Sequence, residues 1–418
     1  MDVLVVGGGG REHAICWSLR KSPRITNLYC APGNGGISYV AECADIAATD
    51  IDKVLAFVKE RHIDFVVVAP DDPLAIGMVD ALEADGVRAF GPRKAAAKLE
   101  SSKVYAKGIM KKYGIPTADF QVFTDADAAK SYIRSCGAPL VVKADGLALG
   151  KGVVVALDVE TALNAVDSIM LEKKFGRSGN SIVIEEYMTG PEVTILVFTD
   201  GETVAAMPSS QDHKRVFTGN LGPNTGGMGA FCPSPNYTDK IANQCMSTII
   251  EPTIKAMNSE GCPFKGVLYF GLMLTPGGPR VVEYNARFGD PEAQPIISML
   301  NTDLLDIFEA VVDGRLHELS IDWREGHACC VVMASGGYPL SYEKGYKING
   351  LDCVPDGITV FHAGTALVNG DFVTSGGRVL GVTAIGDTLD SASSRAYEGV
   401  SCINFENVHY RTDIGKNS

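Results

Sequence analysis

The stretch Asp2-Val3-Leu4-Val5-Val6-Gly7-Gly8-Gly9-Gly10 decides the fold of the N-terminal region, because an apolar run ends there in four consecutive glycines. The run predicts a buried strand, and residues 12–21 after it predict a helix. Backbone N–H groups at such a helix start form an anion site, and glycine lets a phosphate approach them closely.

The residues that follow repeat the alternation of strand and helix. Strands are predicted at residues 25–30, 65–69 and 87–90, and helices at residues 54–61 and 74–85. Strict alternation implies right-handed crossovers and a buried parallel sheet, so we expect an α/β fold with a doubly wound sheet. Loops rich in Gly, Pro, Asn or Asp follow the carboxyl ends of its strands, where such sheets bind ligands.

Beyond residue 91 the pattern changes twice. One helix is predicted at residues 94–113, and strands then dominate to about residue 282, apart from helices at residues 125–136 and 239–259. After Gly326, short β runs alternate with glycine-containing turns, and a helix is predicted around residues 391–398. We therefore expect three domains, at residues 1–100, 101–325 and 326–418, of which the last is a small α+β domain.

The composition excludes several classes of protein. Of the 418 residues, 46% are hydrophobic and 21% charged, which excludes disorder and collagen-like structure. The net charge of −13 gives no global attraction to nucleic acid or to an anionic membrane. No apolar stretch is long enough for a membrane helix, and the start lacks a signal-peptide pattern. The 11 scattered cysteines indicate a reducing, cytoplasmic environment.

The glycine run permits more than one interpretation. A dinucleotide fold needs a third Gly or Ala where Glu12 stands, and an acid at the end of the second strand, which reads Cys30-Ala31-Pro32. A small phosphorylated ligand is therefore favoured over NAD(P), and a merely tight turn is the bland alternative. Arg11 is a candidate for the phosphate charge and Glu12 for a ligand hydroxyl or amine, although both also suit an exposed first helical turn.

Two further stretches suggest nucleotide binding. Residues 141–154, VVKADGLALGKGVV, predict two strands joined by a glycine-rich loop with a lysine near each end. This pattern suits a phosphate clamp but also a plain hairpin, and it is not a Walker A loop, since Gly152 and Val153 follow Lys151. Residues 182–188, IVIEEYM, predict a strand that ends in carboxylates, which suits a hinge beside an adenine and also a solvated strand end.

The strongest stretch is RVVEYNARFGDPE, residues 280–292. Alternation along a strand places Glu283, Asn285 and Arg287 on one face. A carboxylate and an amide oxygen suit a hard cation, and the guanidinium can offset charge on a transferring phosphoryl group. The alternative, an exposed polar strand, is disfavoured because Asp290 and Glu292 continue the polar density.

A long loop at residues 210–229 contains QDHKR and then GNLGPNTGGMG. Long ordered loops of this kind are usually functional. His213 has no histidine partner at ligand spacing, so we expect a supporting role for it rather than metal binding or base catalysis.

Taken together, these stretches resemble the ATP-grasp ligases, and most closely the phosphoribosylamine–glycine ligase (glycinamide ribonucleotide synthetase) family of purine biosynthesis. The motifs that match, in order, are GGGGREHA (7–14), KADG (143–146), DHKR (212–215), GPNTGGMG (222–229) and NARFGDPE (285–292). The C-terminal motifs GYP (337–339), HAGT (362–365), SGGRVL (375–380) and YRTDIG (410–415) fit as well. The resemblance covers essentially the whole chain.

The resemblance implies a central ATP-grasp domain with a mobile lid at about residues 118–192. It also implies ATP-dependent ligation of glycine to 5-phosphoribosylamine through glycyl phosphate, with Mg²⁺ or Mn²⁺. The ATP-binding residues it implies are Lys103, Lys143, Gly146, Gly150, Lys151, Gly152, Glu185, Glu186, Tyr187, Met188 and Glu192. The metal ligands are Glu283 and Asn285, and the catalytic residues are Arg287, Lys143 and Asp290. The substrate-binding residues are Gly9, Gly10, Arg11, Glu12, Asn34, Gly35, Asp71, Asp212, Lys214, Asn224, Thr225, Gly226, Gly227, Arg287 and Asp290.

Two positions depart from the family pattern. The strand before Glu283 reads Gly271-Leu272-Met273-Leu274 and offers no carboxylate for a second metal. Asp71 stands where a glutamate is expected, and its shorter side chain leaves its reach toward the sugar amine in question.

Three other functions compete with this interpretation. Another ATP-grasp ligase would share the phosphoryl step and differ in its acid or amine. A nucleotide-dependent oxidoreductase is disfavoured, because hydride transfer does not require the row of Glu283, Asn285 and Arg287. A binding protein with an inactive site is disfavoured by the intact set of charged residues. The expected partners are small molecules, without nucleic acid or membrane, and the expected state is a monomer or weak dimer.

Overall fold

A computed structural model describes residues 1–147 and 152–416. The N-terminal region is a five-stranded sheet in the order β3-β2-β1-β4-β5, in which every pairing is parallel. Its elements are β1 Asp2–Gly7, α1 Gly10–Leu19, β2 Asn27–Pro32, β3 Glu42–Cys43, α2 Ile51–Arg61, β4 Phe65–Val68, α3 Asp71–Ile76, α4 Met78–Ala84 and β5 Arg88–Phe90. The prediction of a doubly wound parallel sheet is confirmed.

Both faces of this sheet are buried, as the apolar run of β1 predicts. Leu4 and Val6 pack into one hydrophobic cluster with residues of α2, whereas Val3 and Val5 pack into another with residues of α1 and of a helix near residue 308. Because successive residues of a strand face opposite sides, a continuous apolar run is what a sheet covered on both faces requires.

Two predicted helices are each divided in the structure. The helix predicted at residues 74–85 is α3 and α4, separated by Gly77 with a φ of +98°. The helix predicted at residues 94–113 is α5 Lys94–Ser101 and α6 Lys103–Tyr113. Ser102 between them is extended, and its hydroxyl accepts a hydrogen bond from the Tyr105 N–H at 3.1 Å. A serine side chain in this position caps a new helix, so the break is local chemistry that helical periodicity conceals.

A separate four-stranded antiparallel sheet follows, in the order β6-β9-β7-β8. It has its own hydrophobic cluster, which includes Ile133, Val142 and Ile184. The strands β7 and β8 form the predicted hairpin, with Lys143 opposite Val153. Its elements are β6 Phe120–Phe123, α7 Ala126–Cys136, β7 Leu140–Ala144, β8 Val153–Ala156, α8 Val159–Val166 and β9 Ile182–Glu186.

A second sheet of the central region has the order β11-β10-β16-β17, and its last strand carries Glu283 and Asn285 of the predicted polar row but ends before Arg287. The helix predicted at residues 239–259 is present and contains a π turn at Met246–Ile250. The elements are β10 Glu192–Thr199, β11 Val204–Ala206, β12 Gln211–Asp212, β13 Arg215–Phe217, β14 Leu221–Asn224, β15 Gly229–Cys232, α9 Asp239–Cys245, α10 Glu251–Ser259, β16 Gly266–Thr275 and β17 Gly278–Asn285.

The C-terminal sheet has the order β12-β15-β18-β22-β19, and β23 pairs with β18. Two of its strands, β12 and β15, belong to the part of the sequence that precedes residue 325. The glycine-rich loop between them is therefore attached to the C-terminal sheet at both ends. The remaining elements are α11 Ala293–Ser298, α12 Leu304–Asp313, β18 His327–Ser335, β19 Ile358–His362, β20 Thr365–Val368, β21 Asp371–Thr374, β22 Arg378–Gly386, α13 Leu389–Cys402 and β23 Val408–His409.

Short helical turns complete the fold, at Ile37–Tyr39, Asp167–Leu171, Gly176–Gly179, Leu316–Glu318 and Leu351–Cys353. Within the two described ranges, none of the helices has the length and apolar character needed to cross a membrane.

Candidate functional site

A cleft with a volume of about 1330 Å³ lies where the three regions meet. Residues from both central sheets, from the C-terminal sheet and from the N-terminal region line it. The sequence-predicted residues among them are Arg11, Asp71, Lys103, Lys143, Gly146, Gly152, Glu185, Glu186, Tyr187, Met188, Glu192, Asp212, Lys214, Asn224, Thr225, Gly226, Glu283, Asn285, Arg287 and Asp290. Residues from five predicted stretches, together with Asp71 and Lys103, thus face one space.

The other predicted residues lie elsewhere. Six of them do not line the cleft, namely Gly9, Gly10, Glu12, Asn34, Gly35 and Gly227. Gly150 and Lys151 fall outside the described residues.

The row on β17 owes its direction to a β-bulge. The register with β16 pairs Gly271 with Glu283 and Leu272 with Val281, which leaves Val282 as the extra residue. Without the bulge, Glu283 would face the same side as the buried Val281. The extra residue turns Glu283 and Asn285 toward the cleft and leaves the buried Tyr284 in the core. Bulges beside active sites commonly re-aim side chains in this way.

The bulge also frees a main-chain carbonyl. Lys143 Nζ, on β7 of the other central sheet, donates to the Val282 oxygen at 3.0 Å. The same ammonium lies 2.9 Å from Glu185 Oε2 on β9. Lys143 is therefore held at the boundary between the two sheets, with its charge facing the cleft.

Glu283 is a carboxylate surrounded by cations. Burial alone would raise its pKa, but Lys214, Lys143 and Lys103 hold the pKa below its usual range. The Glu283 side chain packs over β16 where a Cβ on Gly271 would lie 3.2 Å from Glu283 Cγ. An ionised carboxylate beside the Asn285 amide oxygen is an oxygen donor pair of the kind that Mg²⁺ prefers.

Glu283 and Asn285 are too few to hold a metal ion without further ligands. Among the described residues, no group of three or more His, Cys, Asp or Glu is arranged to hold a metal on its own. Mg²⁺ commonly takes only one or two protein oxygens and completes its shell with phosphate oxygens and water. Glu283 and Asn285 therefore fit a magnesium ion that arrives with a nucleotide.

Arg287 is fixed by a buried carboxylate that the sequence did not reveal. Glu100, at the end of α5, accepts from the Ala286 N–H at 2.7 Å and lies 2.8 Å from Arg287 Nη2. Arg287 also donates to Asn285 Oδ1 at 3.2 Å and to the Phe288 oxygen at 3.1 Å. Its Nε–H is buried and has no hydrogen-bond partner among the described residues.

The opposite wall carries a buried pair of lysines around one carboxylate. Glu185 Oε2 lies 2.9 Å from Lys143 Nζ and 3.2 Å from Lys107 Nζ. Burial lowers the pKa of Lys107 to about 8, against the attraction of Glu185. Lys107 also donates to Thr117 Oγ1 at 2.7 Å. The sequence analysis missed Lys107, because on α6 it has the spacing of an ordinary buried helical position.

Lys103 begins α6 and reaches the glycine-rich loop of the β7–β8 hairpin. Its Nζ donates to the Gly146 oxygen at 3.0 Å. Burial lowers the pKa of Lys103, although Glu283 opposes this effect.

Glu186, the last residue of β9, forms an ion pair with Arg280.

Acidic residues surround Lys214 at the far end of the cleft. Lys214 Nζ lies 3.2 Å from Glu192 and 3.7 Å from Glu283, and Glu192 is the main cause that raises the Lys214 pKa. Burial raises the pKa of Asp212 to about 7, and Glu292 adds to the rise while Lys214 opposes it. The cluster thus places a cation and a readily protonated carboxyl side by side.

The loop that contains Thr225 and Gly226 is tied to the Asp290 turn through Arg378. One nitrogen of Arg378 donates to the Gly226 oxygen and to the Asp290 oxygen, each at 2.6 Å. Its other terminal nitrogen lies 3.3 Å from Asp290 Oδ2. A Cβ on Gly227 would lie 2.4 Å from Pro291 Cδ. Gly227 therefore permits close packing behind the cleft instead of lining it.

Glu12 is an internal capping residue in this structure. It accepts from the Gly9 N–H at 2.6 Å and lies 2.6 Å from Arg11 Nε, so its carboxylate is occupied. Arg11 and Glu12 are both buried, so the alternative of an exposed first turn is excluded. A Cβ on Gly9 would lie 3.3 Å from Asp290 Oδ2, which places the glycine loop directly behind the Asp290 turn.

Asn34 joins the N-terminal region to the C-terminal one. Its amide nitrogen donates to the Gly8 and His362 oxygens at 3.0 and 2.8 Å. Its amide oxygen accepts from the N–H groups of Gly36 and Ile37. The Gly35 N–H donates to the Thr365 oxygen at 3.0 Å. These hydrogen bonds hold the loop beside the glycine run.

His213 is buried, and burial lowers its pKa to about 4, so its imidazole is neutral at pH 7.

Family models match all three regions of the chain. They describe the N domain (residues 1–100), the ATP-grasp (A) domain (residues 101–293) and the C domain (residues 328–417) of phosphoribosylglycinamide synthetase. A phosphoribosylamine–glycine ligase from Brucella melitensis is 50% identical over 417 residues, covering 99% of this chain and 97% of that protein. The chain belongs to the phosphoribosylglycinamide synthetase family.

Other members and neighbours of this synthetase family are similar over the same length. The human trifunctional purine biosynthetic protein adenosine-3 is 49% identical over 418 residues, which is 99% of this chain and 41% of that protein. The crystal structure of a phosphoribosylamine–glycine ligase from Thermotoga maritima superposes with a TM-score of 0.86 at 33% identity, covering 99% of this chain and 100% of that one.

A biotin carboxylase from Campylobacter jejuni, solved with a β,γ-ATP ligand, superposes with a TM-score of 0.77 at 14% identity and covers 98% of this chain and 93% of that one. At that identity the likeness shows the fold alone. The family resemblance that the motifs predicted, and the ATP-grasp fold with it, are confirmed.

Proposed function

We propose that this synthetase joins glycine to 5-phosphoribosylamine, giving glycinamide ribonucleotide, ADP and phosphate. One observation carries the proposal: the cleft brings Glu283, Asn285 and Arg287 of one sheet together with Lys103 and Lys143. That set suits the transfer of a phosphoryl group from a nucleotide to a carboxylate. The family and the names of its relatives specify glycine and the sugar amine.

The first step forms glycyl phosphate. A glycine carboxylate oxygen attacks the γ-phosphorus of ATP, and the bond between that phosphorus and the β–γ bridging oxygen breaks to release ADP. We assign Lys143 and Lys103 to the phosphate chain, and the unpaired Arg287 N–H to the γ-phosphoryl oxygens. Preorganised cations stabilise the charge of the transition state without reorganising during the reaction.

We assign the adenine and ribose to the wall beyond Lys143. The main chain of residues 185–188 is the hinge for the adenine edge, and Glu192 is the partner of the ribose hydroxyls. We assign Gly146 and Gly152 to the phosphates as well, and the sequence prediction gives the same role to Gly150 and Lys151, which lie outside the described residues. In this structure Glu192 is paired with Lys214, so nucleotide binding would release Lys214 toward the glycine carboxylate.

Glu283 and Asn285 would hold the divalent cation, Mg²⁺ or Mn²⁺. When bound, the ion offsets the negative charge of the phosphates that it contacts. Because nearby lysines keep the pKa of Glu283 low, this carboxylate is ionised and ready to bind a cation at neutral pH.

The second step joins the amine to the activated glycine. The amine nitrogen of 5-phosphoribosylamine attacks the glycyl carbonyl carbon, the bond to the phosphate oxygen breaks, and the nitrogen loses a proton. Asp212 is the acceptor that we assign, because its pKa of about 7 lets it take up a proton near neutral pH. Lys214, Asn224, Thr225, Gly226 and Asp290 surround the reacting groups.

We assign the sugar phosphate to the N-terminal side of the cleft. The first turn of α1 offers backbone N–H groups that lack helical partners, and its dipole favours an anion. Gly10 and Arg11 belong to this turn, while Gly9, Glu12, Asn34 and Gly35 hold the two loops in place. Asp71, also in the cleft, is assigned to the amine.

The domains predicted above, at residues 1–100, 101–325 with a lid at about 118–192, and 326–418, remain our proposed division. Closure of the lid sheet would exclude water and protect glycyl phosphate from hydrolysis. We also propose a cytoplasmic enzyme that is a monomer or weak dimer, which size-exclusion chromatography with light scattering tests.

The reaction is tested by ADP release from the purified chain with ATP, Mg²⁺ and 5-phosphoribosylamine generated in place, with glycine added or omitted. We expect ADP only when both acceptors are present, with a product mass equal to that of glycinamide ribonucleotide. The matched inactive control is Arg287→Ala, which should lose orders of magnitude in kcat while the circular dichroism spectrum is unchanged. ADP release that ignores glycine but responds to another carboxylate would reject the substrate and retain the phosphoryl chemistry.

A further inference from the structure

A segment of the C-terminal region, residues 408–416, lies across the β13–β14 hairpin of residues 215–224. We call residues 408–416 the tail segment. His409 Nε2 donates to the Val216 oxygen at 2.9 Å, and the Thr412 N–H donates to Thr218 Oγ1 at 3.1 Å. The Gly219 N–H donates to Asp413 Oδ2 at 2.9 Å. The tail segment therefore contacts the hairpin through successive main-chain and side-chain groups.

Arg411 is the central residue of this contact. Its side chain is 1% exposed and is the largest fully buried side chain among the described residues. It forms a two-pronged pair with Asp413, with Nε–Oδ1 at 2.7 Å and Nη2–Oδ2 at 2.6 Å. A guanidinium held by such a fork has a fixed orientation.

The remaining nitrogen of Arg411 points at the hairpin. Nη1 donates to the Arg215 oxygen and to Asn220 Oδ1, each at 3.0 Å. Arg215 and Asn220 lie at opposite ends of the first strand and turn of the hairpin. One guanidinium thus fixes both the start of the hairpin and its turn.

The hairpin is flanked by two residues that line the cleft, Lys214 before it and Thr225 after it. Its two ends are joined where the Lys214 oxygen accepts from the Thr225 N–H at 2.7 Å and from Thr225 Oγ1 at 2.8 Å. The carbonyl that Arg411 holds belongs to Arg215, the residue that directly follows Lys214. A shift of that peptide would move the Lys214 ammonium relative to Glu192 and Glu283.

The tail segment is itself anchored to the C-terminal sheet and its helix α13. The Tyr397 hydroxyl donates to the Arg411 oxygen at 2.8 Å and accepts from the Ile414 N–H at 2.9 Å. Ser393 Oγ donates to the Ile414 oxygen at 2.8 Å, and Ile414 is buried in the core of that region. The hydrogen bonds of Arg411 therefore connect the residue next to Lys214 to the buried core of the C-terminal region. The two partners, Arg411 and Arg215, are 196 residues apart in the sequence.

We propose that the tail segment is a latch that positions Lys214 and Thr225 for the small zwitterionic acid at the far end of the cleft. Arg411 is a positioning residue that acts through the Arg215 peptide, and Asp413 sets its orientation. The proposal rests on the proposed function, since it assigns this end of the cleft to glycine. The latch has no contact with Lys103 or Lys143 among the described residues, so its effect on the nucleotide end is limited to the ion pairs of Lys214 with Glu192 and Glu283.

The experiment uses Asp413→Asn, which keeps the size of the side chain and removes its charge from the fork. We expect the KM for glycine to rise about tenfold, the loss that one charge-assisted interaction produces, while the KM for ATP stays within about twofold. Hydrogen exchange should speed up at the amides of residues 215–224 and stay unchanged in β10. The matched control is Asp371→Asn. Asp371 lies on the separate two-stranded sheet β20–β21 and forms an exposed ion pair with Lys347.

A second variant, Arg411→Lys, keeps the charge but lacks the fork, and it should shift glycine KM and hairpin exchange in the same direction. The latch is refuted if both variants, folded by circular dichroism, keep the wild-type KM for glycine, or if the KM for ATP rises equally. Failure of the proposed function would appear differently, as wild-type protein that releases no ADP in response to glycine. Faster exchange throughout the chain would also reject the latch, since it would indicate general destabilisation.

Discussion

Replacing Glu100 by glutamine should make this enzyme more stable at neutral pH and slower. Glu100 is buried, and burial raises its pKa from the ordinary 4.5 to about 6 even though Arg287 opposes the rise. Ionisation of Glu100 therefore lowers the free energy of unfolding, although the ionised carboxylate is what holds Arg287. Glutamine has the same shape and can still accept from the Ala286 N–H.

The sign and size of the stability effect follow from this pKa. Between about pH 4.5 and 6 the folded chain binds more protons at Glu100 than the unfolded chain, so stability falls as pH rises through that window. The full cost above pH 6 is about 2 kcal/mol. For a chain of 418 residues, that corresponds to a Tm difference of about 2 °C. The Tm of Glu100→Gln minus that of the wild type should therefore rise by this amount from about pH 4 to about pH 8.

The activity should change in the opposite direction. Loss of the charged partner of Arg287 removes an interaction of about 1.5 kcal/mol, so kcat should fall about tenfold. The KM for ATP should stay within about twofold, because the charge of Glu100 is only a minor influence on Lys103, whereas its carboxylate pairs directly with Arg287. ADP release at saturating substrates measures kcat, and calorimetry across the pH series measures Tm.

Glu309→Gln is the matched control, since Arg88 and Arg24 hold the pKa of Glu309 below its usual range, away from the cleft. Its Tm difference should fall as pH rises toward about 4.5 and stay level above that pH, with kcat unchanged. If Glu100→Gln shows wild-type kcat, or a Tm difference that falls with pH, the assignment of Glu100 as the positioning group of Arg287 is refuted.

Three further outcomes are expected. Glu283→Gln should raise the Mg²⁺ concentration for half-maximal rate about tenfold, because a neutral amide binds the cation weakly; an unchanged Mg²⁺ titration would remove Glu283 from the metal site. Lys107→Gln should raise the KM for ATP about tenfold by releasing Glu185, and an effect on glycine KM alone would contradict this. Gly10→Ala places a Cβ 2.5 Å from Gln294 Nε2, so the KM for 5-phosphoribosylamine should rise while that for ATP does not; equal changes in both would reject the phosphate assignment.

The N-terminal sheet was predictable because its signals are local. The apolar runs at residues 3–6 and 65–68 are short and uninterrupted, and each is followed by a helix, which fixes a buried parallel sheet. The divisions at Gly77 and Ser102 were missed because the apolar periodicity continues across them. The backbone there is governed by one residue's conformation, which periodicity does not report.

The candidate site was predictable only where chemistry is concentrated in one stretch. Glu283, Asn285 and Arg287 stand together in sequence and line one cleft. Glu100 and Lys107 were missed because their partners, Arg287 and Glu185, are far away in the chain. An isolated acid or lysine on a helix carries no sign of such a partner. The site roles themselves remain predictions until the variants above are measured.

The bulge at Val282 implies a constraint on how this family's chains can change. Its effect rests on one extra backbone position between Val281 and Glu283, whose carbonyl accepts from Lys143 Nζ. Substitutions at Val282 keep that position, so many side chains should be tolerated there. A single-codon deletion of Val282 would restore the regular alternation, leave Glu283 facing the cleft and remove the carbonyl that holds Lys143. Natural variation along this strand should therefore be rich in substitutions and almost free of insertions and deletions.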